Sequence, residues 1–174
     1  FIGGLLEKHT TTIPARTHWK HLIATPSGEV QHVRRDNGTT DTYRGEVKKV
    51  GPGDIRRHGH GRYVGTDGRM YEGGYHFDQA HGNGTATFAG GGTYTGDFAF
   101  AHMTGKGVFE DTDGSRYEGD WVNGKQHGEG TMRHADGSVY VGQFAAGFAH
   151  GKGRWEYPDG TVYDGDWKGN ELNG

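Results

Sequence analysis

Histidines, carboxylates and glycine pairs are the residues of this sequence whose types and spacing could do chemistry. His58, His81, His127 and His150 each stand immediately before the first glycine of a Gly-x-Gly pair. Imidazole is both a common metal ligand and the general base of neutral pH, so a recurring histidine raises both readings. The recurrence argues against a shared ion. Equivalent places in neighbouring hairpins of a sheet lie about 10 Å apart, whereas a ligating nitrogen sits about 2 Å from its metal. Within the repeats His58 and His60 are the close pair in sequence, and no carboxylate has an obvious place beside them. These histidines are therefore assigned to packing or hydrogen bonding, with no metal site expected. Gly-x-Gly also occurs in phosphate-binding loops, but those need a following helix whose amides face the phosphates, and no helical period follows here. Asp111 with Asp113, and Asp164 with Asp166, fall in turns or on a solvated face, without the burial that tunes a general acid. The absence of cysteine removes thiolate catalysis, disulfide scaffolds and Cys-ligated zinc. No nucleophile, base and orienting group come together, so neither an enzyme nor a bound cofactor is expected.

The elements that carry these residues follow from one period. Tyr71, Tyr94, Tyr117, Tyr140 and Tyr163 are each 23 residues apart. Two residues after each comes glycine (Gly73, Gly96, Gly119, Gly142, Gly165), and four after it comes a second aromatic (Tyr75, Phe98, Trp121, Phe144, Trp167). Then follow the glycine pairs Gly82/Gly84, Gly105/Gly107, Gly128/Gly130 and Gly151/Gly153, and most units close on Asp-Gly. An earlier copy starts at Tyr43 and reaches Gly59 and Gly61 five residues late, which reads as a longer loop over residues 50–58. Tyr-x-Gly-x-aromatic alternates with period two, so it is a strand with rings and glycine on one face and carboxylates on the other. The glycine-paired strand behaves alike. A ring of one strand then lies over a glycine of its neighbour, a position that tolerates no Cβ. Asp-Gly supplies the positive φ of a tight reversal. Each unit is a β-hairpin that cannot bury its aromatic face alone, and stacked units make one elongated, twisted, single-layer antiparallel sheet, about 50 to 60 Å long.

This construction explains a composition that would otherwise read as disorder. Leu, Ile, Val and Phe number 26 of 174 residues, beside 35 glycines, yet aromatics reach 12% and the net charge is only −3. No segment approaches the run of roughly 18 apolar residues of a membrane-spanning helix. Residues 1–62 carry 11 Lys/Arg against 6 Asp/Glu, and residues 63–174 carry 8 against 16, so the two parts differ in electrostatic character.

Units such as Tyr117-Glu118-Gly119-Asp120-Trp121, continued through Asn123-Gly124-Lys125-Gln126-His127-Gly128-Glu129-Gly130, resemble the MORN (membrane occupation and recognition nexus) repeat. The resemblance runs over residues 43–174, as units 43–70, 71–93, 94–116, 117–139, 140–162 and a partial 163–174. It implies an all-β scaffold that holds other proteins in a multi-subunit assembly, cytoskeletal or ciliary by family habit, in a cytoplasmic setting. It also implies two alternatives: a peripheral module binding acidic phospholipid, or a targeting or regulatory part of a larger enzyme.

Departures from the usual repeat locate candidate residues. The segments between the two strands of a unit are commonly polar and basic in the family, and residues 123–126 keep that character. The others carry Phe77, Phe100 with Met103, and Phe148, which makes this edge the expected protein-docking surface. Basic residues gather instead at Arg34, Arg35, Lys48, Lys49, Arg56 and Arg57, the expected site for an anionic partner. The acidic remainder disfavours a phosphoinositide platform. Nucleic acid is not an expected partner, because the basic stretch lacks interleaved stacking aromatics. Residues 1–42 are expected to form an arm and a capping hairpin, with strands near 19–24 and 29–34. The array stops at Gly174 within a hairpin, so either the chain continues or an open edge is left for self-association with a second copy.

Overall fold

The computed structural model describes residues 31–34 and 40–173 of the chain. The expected N-terminal arm over residues 1–12, and the strand near 19–24, lie outside them. All described elements are strands: β1 (Gln31–Arg34), β2 (Thr40–Gly51), β3 (Asp54–Val64), β4 (Met70–His76), β5 (Gln79–Thr87), β6 (Thr93–Ala99), β7 (His102–Glu110), β8 (Arg116–Val122), β9 (Lys125–Arg133), β10 (Val139–Ala145), β11 (Phe148–Glu156), β12 (Val162–Lys168) and β13 (Glu171–Leu172). They form one 13-stranded sheet in sequence order, each strand antiparallel to the next. The all-β, single-layer array of hairpins read from the period is thus the architecture found.

Register explains how one layer can have a core. Gly45, Gly61, Gly73, Gly84, Gly96, Gly107, Gly119, Gly130, Gly142, Gly153 and Gly165 stand side by side across β2 to β12. The first tyrosine of each unit lies over this row. A Cβ on Gly84 would sit 2.6 Å from the Tyr71 hydroxyl and 2.8 Å from its ring carbons, so the ring needs the glycine. The Tyr43, Tyr71, Tyr94, Tyr117 and Tyr140 hydroxyls each donate to the carbonyl three residues on, at 2.7 to 3.1 Å. These five rings are at most 1% exposed.

The rings also touch one another in a continuous zigzag. Tyr43, Tyr75, Tyr71, Phe98, Tyr94, Trp121, Tyr117, Phe144, Tyr140 and Trp167 meet edge to face in that order, centroids 5.0–5.3 Å apart and planes at 81–89°. Each such contact contributes about 0.5 to 1.5 kcal/mol beyond the area it buries. Tyr75, Phe98, Trp121 and Phe144 thus each bridge the tyrosine of their own unit and that of the unit before. This is how the core becomes one-dimensional and why units support only their neighbours.

Two local devices repeat. The first glycine of the β7 and β9 pairs, Gly105 and Gly128, takes φ of +59° and +57° where the pairing register shifts, a β-bulge that L side chains disfavour. The amide that follows each donates to a carboxylate of the opposite strand, Lys106 N–H to Asp97 at 3.3 Å and Glu129 N–H to Asp120 at 3.1 Å. The carboxylates of the outer face thus pin bulges. The Asp-Gly reversals are closed by Asp113, Asp136 and Asp159, which each accept from the amide two residues on at 2.8 Å.

The unit beginning at Tyr43 departs from expectation. Its five extra residues do not form a loop over 50–58. They lengthen both strands, β2 to Gly51 and β3 from Asp54, around a Pro52-Gly53 turn. Period-two residues on either side of a turn former continue the ladder more cheaply than they would leave backbone groups unpaired.

Candidate functional site

The candidate docking edge is built from the turns that join the two strands of each unit. These turns have two residues, Phe77-Asp78, Phe100-Ala101, Asn123-Gly124, Ala146-Gly147 and Gly169-Asn170, and both residues of each have positive φ. That is the geometry of the reversal whose twist matches the flanking strands, and Asn-Gly is its preferred sequence. Asn123-Gly124 satisfies it. Phe77 at φ 46° and Phe100 at φ 50° do not. A non-glycine L residue gives up about 1 to 2 kcal/mol in this region.

The tips are fixed by bonds to the preceding unit. The N–H of the second turn residue donates to a carbonyl one hairpin back: Asp78 to Arg57, Ala101 to Ala80, Gly124 to Met103 and Gly147 to Gln126, all at 2.9 Å. The accepting residues recur every 23 positions on the second strand and are buried in every case. A rigid row of tips results, spaced about 10 Å apart along one edge.

Phe100 is 59% exposed at its tip, with the ring of His81 at 5.7 Å. Phe77 is half-buried among His76 at 4.5 Å, His58 at 5.0 Å and the Lys48 ammonium at 5.2 Å. Met103 is not part of this surface. It occupies the buried position of β7, 1% exposed, because it lies in phase with Ala80 and Ala149 rather than in a loop. Phe148 is exposed, but it opens β11 next to the Ala146-Gly147 tip instead of forming one.

The expected anion site is smaller than the sequence implied. Arg57 points inward, 3% exposed, at the position filled by Ala80, Met103, Gln126 and Ala149 elsewhere. Its guanidinium lies 4.8 Å from the Tyr75 ring, contacts the Asp78 carboxylate at 3.4 Å and donates to the Asp78 carbonyl at 2.7 Å, while its amide donates to that carboxylate at 2.9 Å. A buried cation with a bonded anion is stable only as a pair, so Arg57 ties the long hairpin to the next tip and does not meet solvent partners. Burial pushes the Tyr75 phenol up in pKa, opposed by the Arg57 charge beside it. Arg56 is turned to Asp54 at 2.9 Å. Lys48 and Lys49 are exposed on β2. Arg34 lies in β1, where only the backbone is described, and Arg35 lies outside the described residues.

The outer face of the sheet, opposite the rings, holds a shallow groove of ≈ 640 Å³ floored by Gly96, Gly107, Gly119 and Gly130 and walled by Thr95, Val108, Glu118 and Val141 among others. Glu118 is paired with Arg116 at 2.7 Å, and Lys106 with Asp120 at 2.7 Å. The Lys106 ammonium bonded to Asp120 holds that carboxyl below its ordinary range.

Sequence reasoning missed one cluster. His76 lies between His58 and His81, ring centroids at 5.2 and 5.6 Å. The equivalent histidines are indeed a hairpin apart, but His76 stands on the intervening strand. The signal was the register: Gly59 pairs with Tyr75, which puts His58 opposite His76.

With this geometry in hand, the repeat profile described as MORN repeat matches residues 54–68, 71–93, 94–116, 117–139, 140–162 and 163–174. The chain belongs to the MORN repeat family. The MORN repeat is a non-enzymatic module, and the matched spans follow the units read from the tyrosine period, with the first match beginning at the second strand of the long hairpin. No curated protein matches the MORN chain. Among solved structures it is similar to the SAS-4 (dCPAP) TCP domain of Drosophila melanogaster, solved in complex with a proline-rich motif of Ana2 (dSTIL), at 14% identity, a TM-score of 0.48 and coverage of 88% of this chain and 82% of that one.

Proposed function

We propose that this chain is a non-catalytic scaffold that docks a protein partner along its row of hairpin tips, through Phe77 and Phe100, within a larger assembly of the cytoskeletal or ciliary kind. The observation that carries this reading is the placing of two phenylalanines at positive φ on rigid tips. The neighbouring tip shows the unstrained solution, Asn123-Gly124, so the aromatic rings are kept at a cost in stability. Strain retained at turn tips points to use. The 59% exposure of Phe100 supports it, since a ring held open by its turn recovers little by packing. The phospholipid alternative loses support with Arg57 buried and Arg56 turned to Asp54.

The test is substitution by the residue the turn prefers. Phe77→Asn with Phe100→Asn should leave the fold as stable as before or slightly more so, while quantitative capture from the native cell loses its specific protein partners. Partners recovered equally by both forms would rule out the tip edge as the docking surface.

A further inference from the structure

We propose that His58 and His76 form a binding site for a divalent transition-metal ion of the zinc class, joining the long hairpin to the unit that follows it. The two histidines face each other on neighbouring strands, β3 and β4, in the register that pairs Gly59 with Tyr75. Directly opposed residues on one face have Cβ atoms about 5 Å apart, the separation from which two imidazoles can converge. Two rings that share one tetrahedral ion at about 2 Å per bond have their centroids roughly 5 Å apart. The observed separation is 5.2 Å.

Three further features favour the site. The Nδ1 atom of His58 is buried and has no hydrogen-bond partner among the described residues, so no protein group competes for it. The Phe77 ring packs on both histidines, at 5.0 and 4.5 Å, and screens that side from water. The pair is also particular to this place. The position of His76 is filled by Ala99, Val122, Ala145 and Lys168 in the other units, so the histidines of the later bulges have no such partner. Among the described residues no three His, Asp or Glu side chains are grouped to hold an ion, so the site has two protein ligands and water completes the shell. His81 lies on the far side of His76, at 5.6 Å. The Lys48 ammonium, over the Phe77 ring at 5.2 Å, is the charge that opposes the ion.

Calorimetric titration of the full chain with zinc chloride at neutral pH, in parallel with thermal unfolding with and without EDTA, tests the assignment. Wild type should take up one Zn²⁺ and melt higher with it. His76→Ala should abolish uptake. His58→Gln should weaken it by at least the roughly tenfold that losing even an outer partner of a metal ligand costs. His81→Gln and the control His127→Ala should bind as wild type does. Melting in EDTA establishes that each variant folds, and imidazole NMR shifts of the wild type on adding Zn²⁺ should move for His58 and His76. No uptake by wild type, uptake retained by His76→Ala, or shifts centred on other histidines would overturn the proposal. This outcome is independent of partner capture, because His58 and His76 can be changed while Phe77 and Phe100 remain.

Discussion

Replacing Gly84 by alanine should unfold the array from within. Gly84 has ordinary extended backbone, so alanine adds no φ strain there and by the unfolded-chain argument alone should stabilise by about 0.4 to 1 kcal/mol. The added Cβ would instead stand 2.6 Å from the Tyr71 hydroxyl and 2.8 Å from two ring carbons. Tyr71 has nowhere to retreat: its hydroxyl donates to the Gly74 carbonyl at 2.9 Å, and its ring meets Tyr75 and Phe98 edge to face, both at 5.1 Å. Overpacking of a well-filled site costs about 1 to 3 kcal/mol. Weakening of two ring contacts adds roughly 1 to 2 kcal/mol, and the hydrogen bond about 1. The net loss is expected to be about 4 kcal/mol, a fall of roughly 2 M in the urea midpoint. The assay is a double-mutant cycle by urea unfolding. With Tyr71→Leu already in place, Gly84→Ala should cost less than about 1 kcal/mol, since the ring it strikes is gone. An equal cost in both backgrounds would refute the claim that the glycines exist to seat the rings.

Two other changes probe the joints of the array. Arg57→Ala leaves the Asp78 carboxylate buried at 5% exposure without its cation, and should cost about 3 to 5 kcal/mol in chemical denaturation. Adding Asp78→Gly should recover most of that loss, because the pair then resembles Ala80 with its uncharged tip. Alkaline titration should unfold the protein cooperatively. Burial raises the phenol pKa of Tyr71, Tyr94 and Tyr117 well above the ordinary 10.0, and that of Tyr140 to about 12. The unfolded chain then gives up these protons first, so stability is full below pH 10 and is lost as pH rises through the folded values. Phenolate absorbance from the buried rings should appear together with the loss of circular dichroism. Their ionisation near pH 10 in an intact fold would contradict the packing described.

Much of the architecture was legible because the period is exact in chemistry as well as in length. Tyr, glycine and the second aromatic recur in phase, and only a strand aligns them on one face. The row of glycines across the sheet follows from superposing those units. The turns were less legible. Phe77-Asp78 and Phe100-Ala101 carry none of the usual signal of a two-residue reversal, so the segments read as loops of several residues until backbone pairing was seen up to His76 and Ala99. The buried position of the second strand was equally hidden. Arg57, Ala80, Met103, Gln126 and Ala149 share a place but no chemistry, so Arg57 read as an exposed cation and Met103 as an exposed apolar residue. His76 was not legible because its place in the other units holds no histidine, and its neighbour His58 is set by the cross-strand register.

The docking edge itself is tested most directly by a hydrogen-exchange footprint of the chain bound to a captured partner. Slowed exchange and protection from cleavage should concentrate at the tips, around Phe77-Asp78 and Phe100-Ala101, and should vanish with the double Phe→Asn form. Protection confined to the outer groove at Thr95, Val108, Glu118 and Val141, with the tips unchanged, would contradict the account.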